Sequence, residues 1–310
     1  MEPALFVRAA IAALALGVGG CGNSLGLSDL AAEVEDAHYS SDITRFGGAC
    51  EEFDEWDKPT PPFQIHGDTW YVGTCGITAL LIRSADGNVL IDTGTAKGSE
   101  AIAANIESLG VKLTDVKAIL GSHEHFDHAG GFARMQKLTG APVLVGAGAV
   151  DVIRTGKVDL RDPQAGQLDA MAPVTGTIRA VADGEVVTIG GLEITGIATP
   201  GHTLGAMSWQ WESCDTNGCF TIVYADSLSP ISAEGYRFAD HPDYVAMFRK
   251  GIARLRPLEC GMLLTPHPSA SDMIARARTG TMVGGMTCAQ YADAKTKALD
   301  ERLAKEAAAK

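Results

Sequence analysis

The chain has 310 residues, with 25 Lys and Arg against 38 Asp and Glu, a formal net charge of −13, seven cysteines and 36 glycines. A hydrophobic content of 46% with 20% charge is that of a globular protein and excludes wholesale disorder. The acidic balance excludes a nucleic-acid partner, because phosphate binding needs a basic face.

At about 150 residues per domain, the length corresponds to one large domain or two ordinary ones. Residues 9–20 (AAIAALALGVGG) are uncharged and follow Arg8. They are too short for a membrane span, which needs about 20 apolar residues. They fit the apolar core of a secretory signal over residues 1–20, although Glu2 offsets Arg8; a buried N-terminal helix is the other reading. Val18-Gly19-Gly20-Cys21 resembles a bacterial lipobox, which makes Cys21 a lipidation candidate. Plain signal cleavage is the alternative, and any membrane attachment runs through that lipid. Gly17 to Gly22 also matches G-x-G-x-x-G, but it lies inside the export signal, without the strand and helix a dinucleotide site needs.

Residues 21–49 are polar and acidic, with a short helix around 30–38, and read as an N-terminal arm; a single domain follows over 50–310. Residues 64–72, 76–83 and 89–91 read as strands, the last two joined through Asp86-Gly87 as a hairpin. A helix over 99–109 stops at Gly110, a buried strand follows at 116–120, and a helix over 129–139 is closed by Gly140. After a strand at 142–145, residues 151–170 read mostly as an ordered loop. Two or three strands lie within 177–198, and 208–211 pairs with 220–224 as a hairpin. A helix over 244–255, a strand at 262–265 and a helix from 288 complete the chain. Interleaved strands and helices, with the pattern repeated in each half, predict a layered α/β sandwich.

Five of the eight histidines carry the chemistry. Ser122-His123-Glu124-His125-Phe126-Asp127-His128 follows the strand at 116–120 and places three imidazoles and a carboxylate within six residues. Imidazole and carboxylate are zinc ligands, and a catalytic zinc keeps one position open for water. Four such ligands are too many for one open zinc but can be divided between two metals about 3.5–4 Å apart. A histidine-rich turn satisfied by its own backbone is the bland alternative, and the density of ligands argues against it. His202, in Thr199-Pro200-Gly201-His202-Thr203, and His267, in Thr265-Pro266-His267-Pro268, also follow strands and read as completing the set. His38, His66 and His241 have no such context and read as surface or core residues.

H-x-H-x-D-H, then a glycine-histidine turn, then a late histidine resembles the metallo-β-lactamase superfamily over roughly residues 60–292. Ser122 to Gly131, Thr199 to Thr203, Tyr224-Ala225-Asp226-Ser227-Leu228-Ser229 and Leu263 to Pro268 look like the third subclass of zinc β-lactamases. The resemblance implies a four-layer αβ/βα sandwich, with two β-sheets face to face and helices outside. It implies two Zn2+, one held by His123, His125 and His202 and the other by Asp127, His128 and His267, with Asp127, His123 and His202 at the centre of catalysis. Ser227 and Ser229 fall where family members orient water and the substrate carboxylate, or they are ordinary strand-end serines. Gln164 is a further substrate contact to test.

The implied reaction is hydrolysis of penicillins, cephalosporins and carbapenems, hence antibiotic resistance, by a hydroxide that exists at neutral pH because zinc lowers the pKa of water to about 7. No S-x-x-K motif offers a serine nucleophile. Asp226 leaves a second reading open, since lactonase and glyoxalase-II-like relatives present a metal-bridging aspartate near this place. A zinc-binding lipoprotein without catalysis is the non-enzymatic alternative, and the complete ligand set argues against it. The remaining cysteines fit an exported protein. Cys260 and Cys288 stand where the resembled subclass has a disulfide, Cys214 and Cys219 bracket a hairpin tip, and Cys50 and Cys75 are left to join the arm to the first strands. The expectation is a periplasmic, monomeric dizinc β-lactamase acting on a small molecule.

Overall fold

The short apolar runs of the sequence become strands of two sheets. The computed structural model describes residues 41–51, 55–216 and 218–309; the expected signal at 1–20, Cys21, His38 and the helix at 30–38 lie outside them. The first sheet contains β1 (Phe63–His66), β2 (Thr69–Tyr71), β3 (Leu80–Ile82), β4 (Asn88–Ile91), β5 (Val116–Leu120), β6 (Val143–Gly146) and β7 (Ile178–Val181), in that spatial order. It is antiparallel from β1 to β4 and parallel from β4 to β7. The second sheet contains β8 (Val186–Ile189), β9 (Leu192–Ala198), β10 (Met207–Asp215), β11 (Gly218–Tyr224) and β12 (Met262–Leu264), in the order β12-β11-β10-β9-β8. Only its β11–β12 pair is parallel.

Alternate side chains of the central strands serve two different cores. Leu80, Ile82, Ala118 and Leu120 of the first sheet share a buried cluster with Trp209, Ile222, Tyr224 and Leu264 of the second. Their neighbours Leu81, Ile119 and Val143 turn to the other face. There they meet α2 (Gly98–Ser108), α4 (Phe132–Thr139) and α5 (Val150–Thr155) through Ile102, Ile106, Phe132, Met135 and Ile153. On the far side, Val223 and Leu263 pack on α6 (Pro242–Leu255) and α8 (Cys288–Ala308) through Phe248, Ile252, Leu255, Tyr291 and Leu299. Sheets covered on both faces need apolar residues at consecutive positions, which explains runs such as Leu80-Leu81-Ile82. The result is the expected αβ/βα sandwich.

Some elements differ from the sequence reading. Residues 64–72 are a hairpin, because Gly67 takes φ +49° and turns the chain between β1 and β2. The helix expected over 129–139 is divided into α3 (Phe126–Ala129) and α4 by Gly130-Gly131. A side chain at Gly131 would place its Cβ 2.5 Å from the Thr93 carbonyl, so glycine lets this turn sit against the loop after β4. The folded part begins before residue 50: residues 41–49 form a helix, α1, with Ile43 and Phe46 fully buried in the core between the sheets. The arm reading fails there because Ile43, Phe46 and Cys50 recur at helical spacing among polar neighbours. A further helix, α7 (Met273–Arg278), follows β12, and Arg278 Nε donates to the Gly47 carbonyl at 2.9 Å. Disulfides join Cys50 to Cys75, Cys214 to Cys219, and Cys260 to Cys288. Among the described residues no helix is long and apolar enough to cross a membrane.

Candidate metal centre

The site is assembled from loops that leave the C-terminal ends of β4, β5, β9, β11 and β12. The loop after β4 supplies Asp92, fully buried and at φ +58°, a left-handed conformation that Asp tolerates better than most residues. Its Oδ1 accepts the Ser122 N–H at 2.7 Å, and its Oδ2 accepts the Ser122 hydroxyl at 2.6 Å and the Tyr224 hydroxyl at 2.8 Å. Asp92 thereby fixes the start of the H-x-H-x-D-H segment. Glu124 fixes the segment to the next loop, its carboxylate accepting from the Thr203 hydroxyl at 2.7 Å and from the Gly205 N–H at 3.0 Å.

Three imidazoles meet on one side of the site. The ligand atoms of His123, His125 and His202 lie within 4.8 Å of one another, and all three residues are buried. Each ring is held through its outer nitrogen. His125 Nε2–H donates to Asp162 Oδ2 at 3.0 Å, and His202 Nδ1–H donates to the Ser229 carbonyl at 2.9 Å. His123 Nδ1 lies 2.9 Å from Asp226 Oδ1, and among the described residues its buried Nε2 has no hydrogen-bond partner. Burial, and then the neighbouring imidazoles, hold His123 and His202 well below the ordinary histidine range, so both are neutral and offer a lone pair. Burial lowers His125 as well, but the Asp162 hydrogen bond and charge outweigh it and the net shift is upward.

The second group is tighter. His128 Nε2 lies 3.0 Å from Asp127 Oδ2, His267 Nε2 lies 3.3 Å from that oxygen, and the two ring nitrogens are 3.2 Å apart. Tetrahedral zinc ligands at about 2.0–2.1 Å stand about 3.3 Å from one another, so these three donors have the spacing a single zinc imposes. Burial raises the Asp127 carboxyl, but His128, His267 and His123 outweigh it and hold it well below the usual carboxylate range. The donor atoms of His123, Asp127 and His128 also fall within 4.8 Å of one another, so the two groups adjoin. The orphaned His123 Nε2, the neutral His123 and His202 rings and an ionised carboxylate all fit zinc.

The loop after β11 carries Asp226, Ser227 and Ser229. Asp226 is fully buried against the outer nitrogen of His123, and burial raises its carboxyl. It belongs to neither ligand group. Ser227 is buried, with its carbonyl accepting from the Tyr291 hydroxyl at 2.9 Å. Ser229 is joined to His202 by its carbonyl, while its hydroxyl accepts from Lys295 Nζ at 3.0 Å. Gln164 is buried beside Asp162, whose Oδ1 accepts its N–H at 2.7 Å, and its Nε2 has no hydrogen-bond partner among the described residues. Sequence reasoning missed Asp92, Asp162 and Lys295. Asp92-Thr93-Gly94 at a strand end was a readable signal for the first; nothing local marks the other two.

A family model for the metallo-β-lactamase superfamily matches residues 72–216. The metallo-β-lactamase SMB-1, solved with 2-mercaptoethanesulfonate, is 46% identical with a TM-score of 0.78, over 81% of this chain and 99% of that one. The chain belongs to the metallo-β-lactamase superfamily. MEM-A1, a subclass B3 metallo-β-lactamase from a soil metagenome library, is 42% identical with a TM-score of 0.78, over 83% of this chain and all of that one. This superfamily member is a zinc-dependent hydrolase, and its structural relatives are of the third subclass that its motifs resemble. Among curated sequences, a hydroxyacylglutathione hydrolase of Rhodospirillum rubrum is 32% identical over 143 residues, 46% of this chain and 45% of that protein. The chain thus spans about half the length of that relative.

Proposed function

We propose that this hydrolase is a dizinc β-lactamase that opens the amide bond of penicillins, cephalosporins and carbapenems. The observation that carries the reading is the thiolate-free second group, Asp127, His128 and His267, with donors 3.0–3.3 Å apart beside a three-histidine group. The β-lactamases similar to this chain along nearly their whole length support it.

His123, His125 and His202 would hold one zinc, and Asp127, His128 and His267 the other. Bound zinc supplies water acidified to a pKa of about 7 and polarisation of the lactam carbonyl. Asp127 uses Oδ2 toward His128 and His267, which leaves Oδ1 to accept a hydrogen bond from the attacking water and hold it in line. Asp127 can do so across the neutral range because its carboxyl stays ionised. Gln164 Nε2 is a donor without a partner among the described residues, and the Ser227–Ser229 ledge adjoins His202; these groups would orient the substrate.

Glyoxalase-II-like thioester hydrolysis is the second reading, favoured by the name of the Rhodospirillum rubrum relative. Against it, Asp226 sits at the outer nitrogen of His123 and in neither ligand group, whereas a bridging aspartate would face both metals. The purified, zinc-loaded protein should contain two zinc per chain and open a carbapenem and a chromogenic cephalosporin. Chelation should abolish this activity and serine-directed clavulanate should leave it intact. Intact β-lactams beside hydrolysed thioester or lactone would overturn the assignment. We also place the protein in the periplasm, exported by residues 1–20. Three disulfides support an oxidising compartment. The mass of the mature N-terminus distinguishes simple cleavage from lipidation at Cys21, and an intact residue 1 would contradict export.

A further inference from the structure

One hydroxyl from the second sheet reaches across to the first and ends beside Asp92. Tyr224, the last residue of β11, is fully buried, and its hydroxyl donates to Asp92 Oδ2 at 2.8 Å, with the Thr78 carbonyl also in reach at 3.3 Å. Both acceptors lead on to candidate ligands. Asp92 Oδ2 is 3.7 Å from His128 Nδ1, a buried nitrogen with no hydrogen-bond partner among the described residues. Thr78 donates its N–H to the carbonyl of Pro266, the residue before His267, at 2.8 Å. His128 and His267 are the two imidazoles of the second group, with their Nε2 atoms 3.2 Å apart.

A metal on His128 Nε2 leaves the ring proton on Nδ1, where it needs an acceptor. Asp92 Oδ2 is the carboxylate oxygen that faces it. Asp92 itself stands at φ +58°, a conformation that a non-glycine residue keeps only where its surroundings hold it. Ser122 holds it from the first sheet by two hydrogen bonds, and Tyr224 holds it from the second. Burial, and then the charge of Asp92, keep the Tyr224 phenol well above its ordinary range, so the hydroxyl remains a donor. The three-histidine group has other outer partners: Asp226 for His123, Asp162 for His125 and the Ser229 carbonyl for His202. Its link to this network is the Ser122 hydroxyl, 3.2 Å from His123 Nδ1.

We propose that Tyr224 is a positioning residue for the second zinc. Through Asp92 and Thr78 its hydroxyl sets the His128 and His267 rings for the metal, and the second group depends on it more than the three-histidine group does. The inference rests on the two-zinc reading and not on the identity of the substrate.

Zinc is withdrawn from the loaded protein by competition with a chelating dye, and the step missing in His267→Ala marks the second group. Tyr224→Phe should lower affinity at that step about tenfold and at the other step by about threefold at most. Tenfold is about the lower end of the cost of losing an outer partner, because Tyr224 acts one bond further out. Thr69→Val is the control, since it removes another fully buried hydroxyl, one whose partners are Ser213 and Trp211. It should lower Tm as Tyr224→Phe does and leave both zinc steps unchanged. A second readout needs no change at Tyr224. In the zinc-loaded wild type, the His128 Nδ1 proton should be protected from exchange and give a downfield NMR signal that chelation removes. Absence of that signal would overturn the route through Asp92. An unchanged second step in Tyr224→Phe, equal losses at both steps, or an equal loss in Thr69→Val would leave Tyr224 as a core residue and no more. A wild type that takes up a single zinc would sink the two-zinc reading, and comparing Tyr224→Phe with Thr69→Val on that zinc would still decide the role of Tyr224.

Discussion

At each metal-facing imidazole, the nitrogen turned away from the site decides which lone pair is presented. Asp162 does this for His125 at 3.0 Å and the Ser229 carbonyl does it for His202 at 2.9 Å. Such outer partners fix ring orientation and raise ligand basicity, and losing one costs about 10–100-fold in metal affinity. Asp162→Ala should therefore weaken zinc binding within that range, measured by competition with a chelating dye. Unchanged zinc affinity would show that His125 is positioned by packing alone. Asp162 also organises the loop it lies on, since its other oxygen accepts the Gln164 N–H. The histidines were legible from their spacing, because imidazole is a common zinc ligand and three of them fall within six residues. Asp162 was not legible, because any aspartate within reach serves and 37 residues separate it from His125.

Helix α8 shows what an element adds. Its start is fixed by a capping box between Thr287 and Gln290 and by the Cys260–Cys288 disulfide. Its end is fixed by Glu306, which accepts from the Ala239 N–H at 2.8 Å, the Phe238 N–H at 3.2 Å and Arg302 Nε at 2.6 Å. Burial raises the Glu306 carboxyl, but the Ala239 N–H, Arg302 and the Phe238 N–H outweigh it and the net shift is downward. A carboxylate lowered in the folded state adds stability that is present above the ordinary glutamate range and lost as pH falls through the lowered value. Glu306→Gln should therefore lower Tm at pH 7, and the gap to the wild type should close as pH is taken toward 3. Melting curves across that range check it, and a gap that stays constant would rule out the ionised hydrogen bonds as its origin. The existence and start of this helix could be read from sequence. Its role in holding the Asp226–Ser229 segment could not, because that contact joins residues about 65 positions apart.

Across the whole molecule, the donor set draws on both sheets. His123, His125, Asp127 and His128 follow β5 in the first sheet, whereas His202 and His267 follow β9 and β12 in the second. Zinc would thus cross-link the two halves of the sandwich and bind only the folded state. Free zinc at a hundred times its dissociation constant adds about 2.7 kcal/mol by mass action. Scanning calorimetry should show Tm falling on chelation and returning when zinc is restored; an unchanged Tm would mean that the metals do not bridge the halves.

The sequence by itself determined the layered fold class, most strands and helices, the candidate histidine and aspartate ligands and the cysteines available for pairing. These follow from local rules: strands covered on both faces need continuous apolar runs, turns need Asp-Gly or glycine, and zinc needs particular donor types. Tertiary structure decided the rest. It turned residues 64–72 into a hairpin, drew α1 into the core, set Asp226 behind His123, and brought Asp92, Asp162 and Lys295 to the site. Those placements depend on which chain segments meet across the sandwich. A lone aspartate or lysine carries no periodicity or spacing to announce its partner, so its role exists only once the two sheets have closed on each other.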